Sequence, residues 1–122
     1  MAGARWVQKQ LLEKYTSANL RVYAVWFKMW PGDDRSSWAK DLLRDARVIQ
    51  FWDPDKTVGK FYLDHFGLNR SNPGGALWDV YILYDAKAEW KGVPSPPASW
   101  GYGVRPGGVT ILQVLGPSLL PK

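Results

Sequence analysis

The chain has 122 residues, 46% of them apolar and 22% charged, which is ordinary for a folded protein and excludes a disordered, collagen-like or coiled-coil chain. This length suits one hydrophobic core, so the sequence predicts a single domain over residues 1–122. The formal charge of +5 comes from Lys and Arg spread along the chain without a basic run, which argues against a nucleic-acid patch.

The first half of the chain alternates between helix and strand signals. Apolar residues at helical spacing predict an amphipathic helix over residues 3–15. Residues 20–29 are almost continuously apolar, which predicts a central strand covered on both faces. A turn at residues 31–34 separates this strand from a predicted short helix that ends near Ala46. Residues 47–52 then form a second, shorter predicted strand.

The strongest local signal lies in the middle of the chain. Asp53 is a good N-cap and Gly67 a good C-cap, so the apolar spacing between them predicts a helix over residues 54–66. Residues 77–84 alternate in the manner of a strand. After a turn, residues 89–93 are predicted to pair back on that strand as a hairpin.

The composition changes after residue 91, which divides a predicted core of residues 1–91 from a Gly/Pro-rich tail of residues 92–122. Residues 92–108 are predicted to be an extended or irregular connection. An edge strand is predicted at residues 109–115, and Pro117 argues against a regular terminal helix.

This order of elements predicts a mixed α/β fold in which parallel crossovers precede a C-terminal antiparallel hairpin. The segments FWDPD (residues 51–55) and WDVYILY (residues 78–84), with residues 22–35, are similar to a largely uncharacterised group of bacterial thioredoxin-like proteins. The resemblance covers residues 3–91. It implies a three-layer thioredoxin-like sandwich whose mixed sheet ends in an antiparallel hairpin.

The chain departs from this group at two points. The resemblance implies a first strand and a Cys motif before the first helix, but Met1 and Ala2 stand there and the chain contains no Cys. It also implies a proline near the position that Asp79 occupies. Thiol–disulfide exchange needs a thiolate. We therefore predict a non-enzymatic thioredoxin-fold relative with a protein-binding or assembly role.

Two alternative functions stay open at this point. One is a small-molecule hydrolase or binding protein that uses a cleft at the carboxyl ends of the parallel strands, where ligands collect in open α/β sheets. The cleft candidates are Trp30, Asp33, Asp34, Trp52, Asp53 and His65. The other is a fragment of a thiol–disulfide oxidoreductase whose strand and Cys motif lie upstream. The structural reading of the same residues is that the Asp side chains cap helices and the Trp rings close the core.

The missing first strand leaves a sheet edge that favours a homodimer, strand exchange or a protein partner, unless residues 109–115 replace it. Partner-contact candidates are the hairpin and tail aromatics Trp90, Trp100 and Tyr102. The glycines at 101, 103, 107 and 108 do not predict a phosphate loop, because no predicted strand precedes them and no predicted helix follows.

The remaining partners and groups are predicted to be absent. One His and no Cys predict no metal and no cofactor. The sequence contains no secretory signal and no apolar stretch of about 20 residues, so we expect a soluble cytoplasmic protein without a membrane partner.

Overall fold

The computed structural model describes residues 2–27, 32, 40–67 and 79–119. Three α-helices are present in these ranges, and their bounds are α1 (Ala2–Trp6), α2 (Thr57–Phe66) and α3 (Gly108–Leu119). The six strands are β1 (Val22–Phe27), β2 (Val48–Asp53), β3 (Val80–Leu83), β4 (Trp90–Lys91), β5 (Val93–Pro94) and β6 (Ser99–Tyr102). The mixed α/β class expected from the sequence is confirmed.

The strands pair two by two. β1 and β2 are parallel, with Val22 opposite Val48, which confirms the predicted parallel pairing. The predicted antiparallel pairing of β3 is confirmed, but the strand predicted to pair with it is wrong, because β3 pairs with β6 and not with residues 89–93. β4 and β5 pair with each other around Gly92, whose φ of 73° suits a tight turn. Residues 92–108, predicted to be an extended or irregular connection, contain the short strands β5 and β6.

The first predicted helix is confirmed, but it ends earlier and changes its winding. α1 continues as a π-helical segment, Val7–Leu12, whose wider turn is closed by the Glu13 N–H donating to the Gln8 carbonyl at 3.0 Å. Leu12 is fully buried. Tyr15, predicted to be helical, lies in the turn that follows.

The chain ends in a helix where the sequence predicted an edge strand at residues 109–115. Ile111, Leu115 and Leu119 recur every four residues in α3, where Ile111 and Leu119 are buried and Leu115 is partly buried against the core. α3 runs through Pro117, so the prediction that this proline discourages a terminal helix is wrong as well. The core that α3 joins contains Leu11, Ala18, Leu20 and Leu119, with Trp6, Val7 and Tyr15 packed beside it.

A second core forms where α2 packs on β3 and β6. Tyr62 is its buried centre, and the Tyr62 and Tyr84 hydroxyls lie 2.6 Å apart. Burial and this hydrogen bond raise the pKa of Tyr84. The apolar side chains around Tyr62 include Val58, Phe61, Phe66, Val80, Ile82 and Trp100.

The predicted helix ending near Ala46 is shorter than expected where the structure describes it. A 3₁₀ turn at Lys40–Leu42 is its only described helical part, and Leu43 is buried just beyond it. Residues 43–46 are not helical, because an Asp45 carboxylate oxygen accepts the Arg47 N–H at 2.9 Å and turns the chain instead.

Arg47 ties the first helical segment to the β1–β2 sheet. Its guanidinium donates to the carbonyls of Leu12, Tyr15 and Ala18, each at 2.9 Å. It also donates to both carboxylate oxygens of Asp45, at 2.9 and 2.8 Å. The Arg47 carbonyl accepts the Val22 N–H, which places the first residue of β1. We call these contacts the Arg47 clamp.

Removing the clamp should destabilise the whole fold. Arg47→Gln removes the guanidinium that donates to three carbonyls and to the partly buried Asp45 carboxylate, so we expect a loss of about 3 kcal/mol in the free energy of unfolding. The control is Arg44→Gln, which removes a more exposed ion pair with Glu13 at 3.5 Å and should cost under about 1 kcal/mol. Urea denaturation of both variants measures this, and equal losses would contradict the role given to Arg47.

The same clamp predicts an acid transition. Hydrogen bonds from Arg47 lower the pKa of Asp45 to about 2. The Asp45 carboxylate therefore stabilises the fold fully above its ordinary pKa, and this contribution disappears as pH falls through about 2. Nearly two pKa units correspond to about 2 kcal/mol. Asp45→Asn should be less stable than the natural chain at pH 6 and should lose less stability between pH 4 and pH 2. An unchanged acid slope would contradict this assignment.

Candidate functional site

One face of the β1–β2 sheet exposes three large apolar side chains. The parallel register sets Tyr23 beside Ile49, and Phe51 follows two residues later, so all three point to the same side. Tyr23 is 62% exposed, Ile49 44% and Phe51 49%. We call Tyr23, Ile49 and Phe51 the aromatic face. The sequence predicted a strand covered on both sides, and within the described residues this is wrong for the side that Tyr23 occupies.

The two rings of the aromatic face lie side by side. The centroids of Tyr23 and Phe51 are 6.3 Å apart, and their planes differ by 24°. Rings held this way on neighbouring strands present a rigid apolar surface, because strand pairing fixes both backbones. Because the rings have few free rotamers, little side-chain entropy is lost when a partner binds this surface.

Positive charges border the aromatic face. Arg21 is exposed directly before β1. Beyond the other end of β1, the Lys56 Nζ atom lies 6.0 Å from the centre of the Phe27 ring, which is a weak cation–π contact. Phe27 is on the same side of β1 as Tyr23 because the two positions are four residues apart. A cation therefore lies near each end of this face, and Asp53 shares the Lys56 end because it is opposite Phe27 in the register.

The other side of the sheet is half-buried and hydrogen-bonded. The Trp26 indole N–H donates to the Gln50 side-chain oxygen at 2.9 Å. The Gln50 amide nitrogen in turn donates to the Leu43 carbonyl at 3.0 Å. These bonds hold the sheet against the chain before β2 and leave the aromatic face outward.

Only some of the residues predicted to line a cleft at the strand ends belong to the part of the chain that the structure describes. Trp30, Asp33 and Asp34 lie outside the described residues. Trp52 is half-buried at the end of β2. The Asp53 carboxylate accepts the N–H groups of residues 57 and 58, at 3.0 and 2.8 Å. Asp53 therefore accepts the first N–H groups of α2, as the structural reading proposed, but the N-cap position is Lys56 and the helix begins at Thr57 rather than at residue 54.

His65 is exposed on α2 and lies outside any described cluster of polar groups. Its ring stacks on Phe61 at 5.1 Å and meets Phe66 edge-on at 4.6 Å. The described part of the chain contains no group of three or more His, Cys, Asp or Glu side chains that could hold a metal ion. These contacts give His65 a packing role at the edge of the second core.

The three aromatic residues predicted to contact a partner have different environments. Trp90 is 60% exposed, although its ring lies 5.7 Å from that of Phe61. Tyr102 is 56% exposed on β6. Trp100 packs against Tyr62 in the second core. Trp90 and Tyr102 are thus the two more exposed of the three.

The glycine-rich loop has a different context from the one predicted. β6 precedes it and α3 follows it, so the expectation that no strand and no helix flank these glycines is wrong. The loop is nevertheless held by Asp79, whose carbonyl accepts the Gly103 N–H at 2.6 Å and whose carboxylate accepts the Val104 N–H at 3.2 Å. The N–H groups of residues 103 and 104 are thus bonded to Asp79, which argues against a backbone cradle for phosphate here.

Comparison with protein-family models, with curated proteins and with solved structures finds no match for this chain. Among the described residues, no helix combines the length and the apolar character needed to cross a membrane. The aromatic face is therefore the best-defined candidate site, on its geometry alone.

The role of Asp53 can be tested directly. Asp53→Ala removes the acceptor of two N–H groups in the first turn of α2, so we expect a loss of about 1 kcal/mol in the free energy of unfolding. Asp55→Ala is the control, because Asp55 is exposed in the turn before α2 and should change stability by less than about 0.5 kcal/mol. If thermal denaturation shows no loss for Asp53→Ala, the carboxylate is not a cap and is free to meet a ligand.

Proposed function

We propose that this chain is a non-enzymatic, thioredoxin-like binding protein whose aromatic face takes a short, extended, acidic segment of a partner protein. The exposure of Tyr23, Ile49 and Phe51 on one sheet face carries this proposal. Contiguous apolar patches of this kind on a folded protein mark interaction sites, and Tyr is enriched among the residues that contribute most to binding.

The size of the patch favours a segment over a second copy of the chain. Three side chains exposed to this degree offer on the order of 300 Å² of surface. A stable interface between two folded proteins needs roughly 800 Å² from each partner. A short peptide covers the smaller area without leaving the rest of the interface unpacked.

The parallel pair of strands favours an extended partner. Tyr23, Ile49 and Phe51 project to one side of β1 and β2 at the two-residue period of a strand. A partner segment in the extended conformation has the same period, so its alternate side chains would reach the aromatic face.

Charge complementarity specifies the partner further. Arg21 and Lys56 stand at the two ends of the face, and the whole chain carries +5. Carboxylates flanking an apolar stretch would meet these cations and be steered towards the face.

The chemistry of the chain favours binding over thiol catalysis. The chain has no Cys, and the Asp53 carboxylate accepts N–H groups of α2. The role that we propose for a thioredoxin-like sheet without a thiol is to present a surface on which a peptide lies.

The experiment uses a labelled ten-residue peptide in which Glu alternates with Leu and Tyr, and a matched peptide with Lys in place of Glu. Fluorescence anisotropy should show binding of the acidic peptide with a dissociation constant on the order of 100 µM, and binding of the basic peptide at least tenfold weaker. Tyr23→Thr and Phe51→Thr should each weaken the acidic complex about tenfold, since Thr keeps the strand propensity and removes the ring.

The matched control is Tyr102→Thr, which removes an equally exposed ring from β6 and should leave binding unchanged. A loss of binding in Tyr102→Thr with none in Tyr23→Thr would show that the peptide binds at Tyr102 on β6 and not at the aromatic face. Light scattering that shows a dimer broken by Tyr23→Thr would make the face a contact between copies. A single-stranded oligonucleotide that binds more tightly than the acidic peptide would make it a nucleic-acid surface. Each of these three results overturns the proposal.

A further inference from the structure

A second surface, separate from the aromatic face, is a groove between the first helical segment and residues 41–44. Its volume is about 250 Å³. The side chains that line it are those of Arg5, Gln8, Lys9, Asp41, Leu42 and Arg44. We call it the cationic groove, because three of these six side chains carry a positive charge.

The π-helical winding builds one wall of the cationic groove. Gln8 and Glu13 are five residues apart and stand one above the other on this wider turn, so the Gln8 amide nitrogen donates to a Glu13 oxygen at 2.9 Å. Gln8 is only 5% exposed. Its side-chain oxygen accepts the backbone N–H of Arg44 at 3.1 Å, which joins the two walls.

Two of the three cations of the groove, Lys9 and Arg44, form weak ion pairs with the same carboxylate, that of Glu13. The Glu13 carboxylate receives Lys9 at 3.2 Å and Arg44 at 3.5 Å, and all three side chains are at least 40% exposed. Hydrogen bonds from Gln8 and Lys9 lower the pKa of Glu13, so this carboxylate is charged at neutral pH. Arg5 lies one helical turn before Lys9 and forms no ion pair with any residue that the structure describes.

The charges therefore do not cancel. Arg5, Lys9 and Arg44 face the groove, and the nearby carboxylates are those of Asp41, which lines it, and Glu13. A long, exposed ion pair such as Arg44–Glu13 is worth little, so a doubly charged anion can replace Glu13 as the partner of Arg44 at small cost.

We propose that the cationic groove binds the phosphate group of a small organic molecule. A guanidinium meets a phosphate with two parallel hydrogen bonds, and Lys adds a point charge. The volume exceeds that of a phosphate alone, and Leu42 gives the remainder of the ligand an apolar contact. π-helical turns in α-helices occur frequently at functional sites, which agrees with the position of Gln8.

The test is a titration of the full chain with sodium pyrophosphate at constant ionic strength. Calorimetry should give a single site, and nitrogen-15 NMR should show the Gln8 side-chain amide among the most strongly shifted resonances. Arg44→Gln and Arg5→Gln should each weaken binding about tenfold. Arg105→Gln is the matched control, because Arg105 is exposed in the loop before α3 and its loss changes the net charge equally.

A variant that should strengthen pyrophosphate binding completes the test. Glu13→Gln removes the internal competitor and should tighten pyrophosphate binding at least threefold, while Glu89→Gln, which breaks the distant Lys91 pair, should not. Circular dichroism of each variant establishes that it is folded. Equal weakening in Arg105→Gln and Arg44→Gln would mean general surface attraction and would overturn the site, as would unshifted Gln8 resonances at saturating pyrophosphate. Neither result bears on peptide binding at the aromatic face.

Discussion

The Arg47 clamp is the interaction on which the other features depend. A guanidinium that is mostly removed from water needs acceptors for its N–H groups. Those of Arg47 are the Asp45 carboxylate and three carbonyls at and after the end of the first helical segment. Because the same residue receives the Val22 N–H, the clamp also sets where β1 begins. A slip of one residue there would turn Tyr23 to the other side of the sheet. The outward direction of the aromatic face therefore depends on the register that begins at the Val22–Arg47 backbone hydrogen bond.

Local signals were sufficient for much of the fold. The strands β1 and β2 and the helix α2 follow from apolar runs and from capping residues that act within a few positions, such as Asp53 and Gly67. The errors arose where distant residues decide. Residues 89–93 have a strand pattern, yet β6 occupies the edge of β3 that they were expected to take. The tail becomes helical because its four-residue spacing finds a core to face, and this spacing was present in the sequence.

The candidate sites were harder to predict than the elements that carry them. Residues 20–29 are apolar at almost every position, so the sequence does not reveal which side of β1 is covered. β2 did carry a signal, since Gln50 between Ile49 and Phe51 indicates two unlike faces. The cationic groove forms where residues 41–44 contact the π-helical segment. The spacing of apolar residues predicts neither the π-helical winding nor this contact. One acidic residue that the sequence pattern did identify, Asp53, accepts the N–H groups at the start of α2.

Native-state hydrogen exchange followed residue by residue tests the central claim most directly, because it reports which parts of the chain open together. If Arg47 joins the helical segment to the sheet, the amide of Val22 and those of Tyr15 and Ala18 share one free energy of opening, close to that of global unfolding. If Tyr15 and Ala18 instead exchange freely while β1 stays protected, the two parts are independent and the account is contradicted.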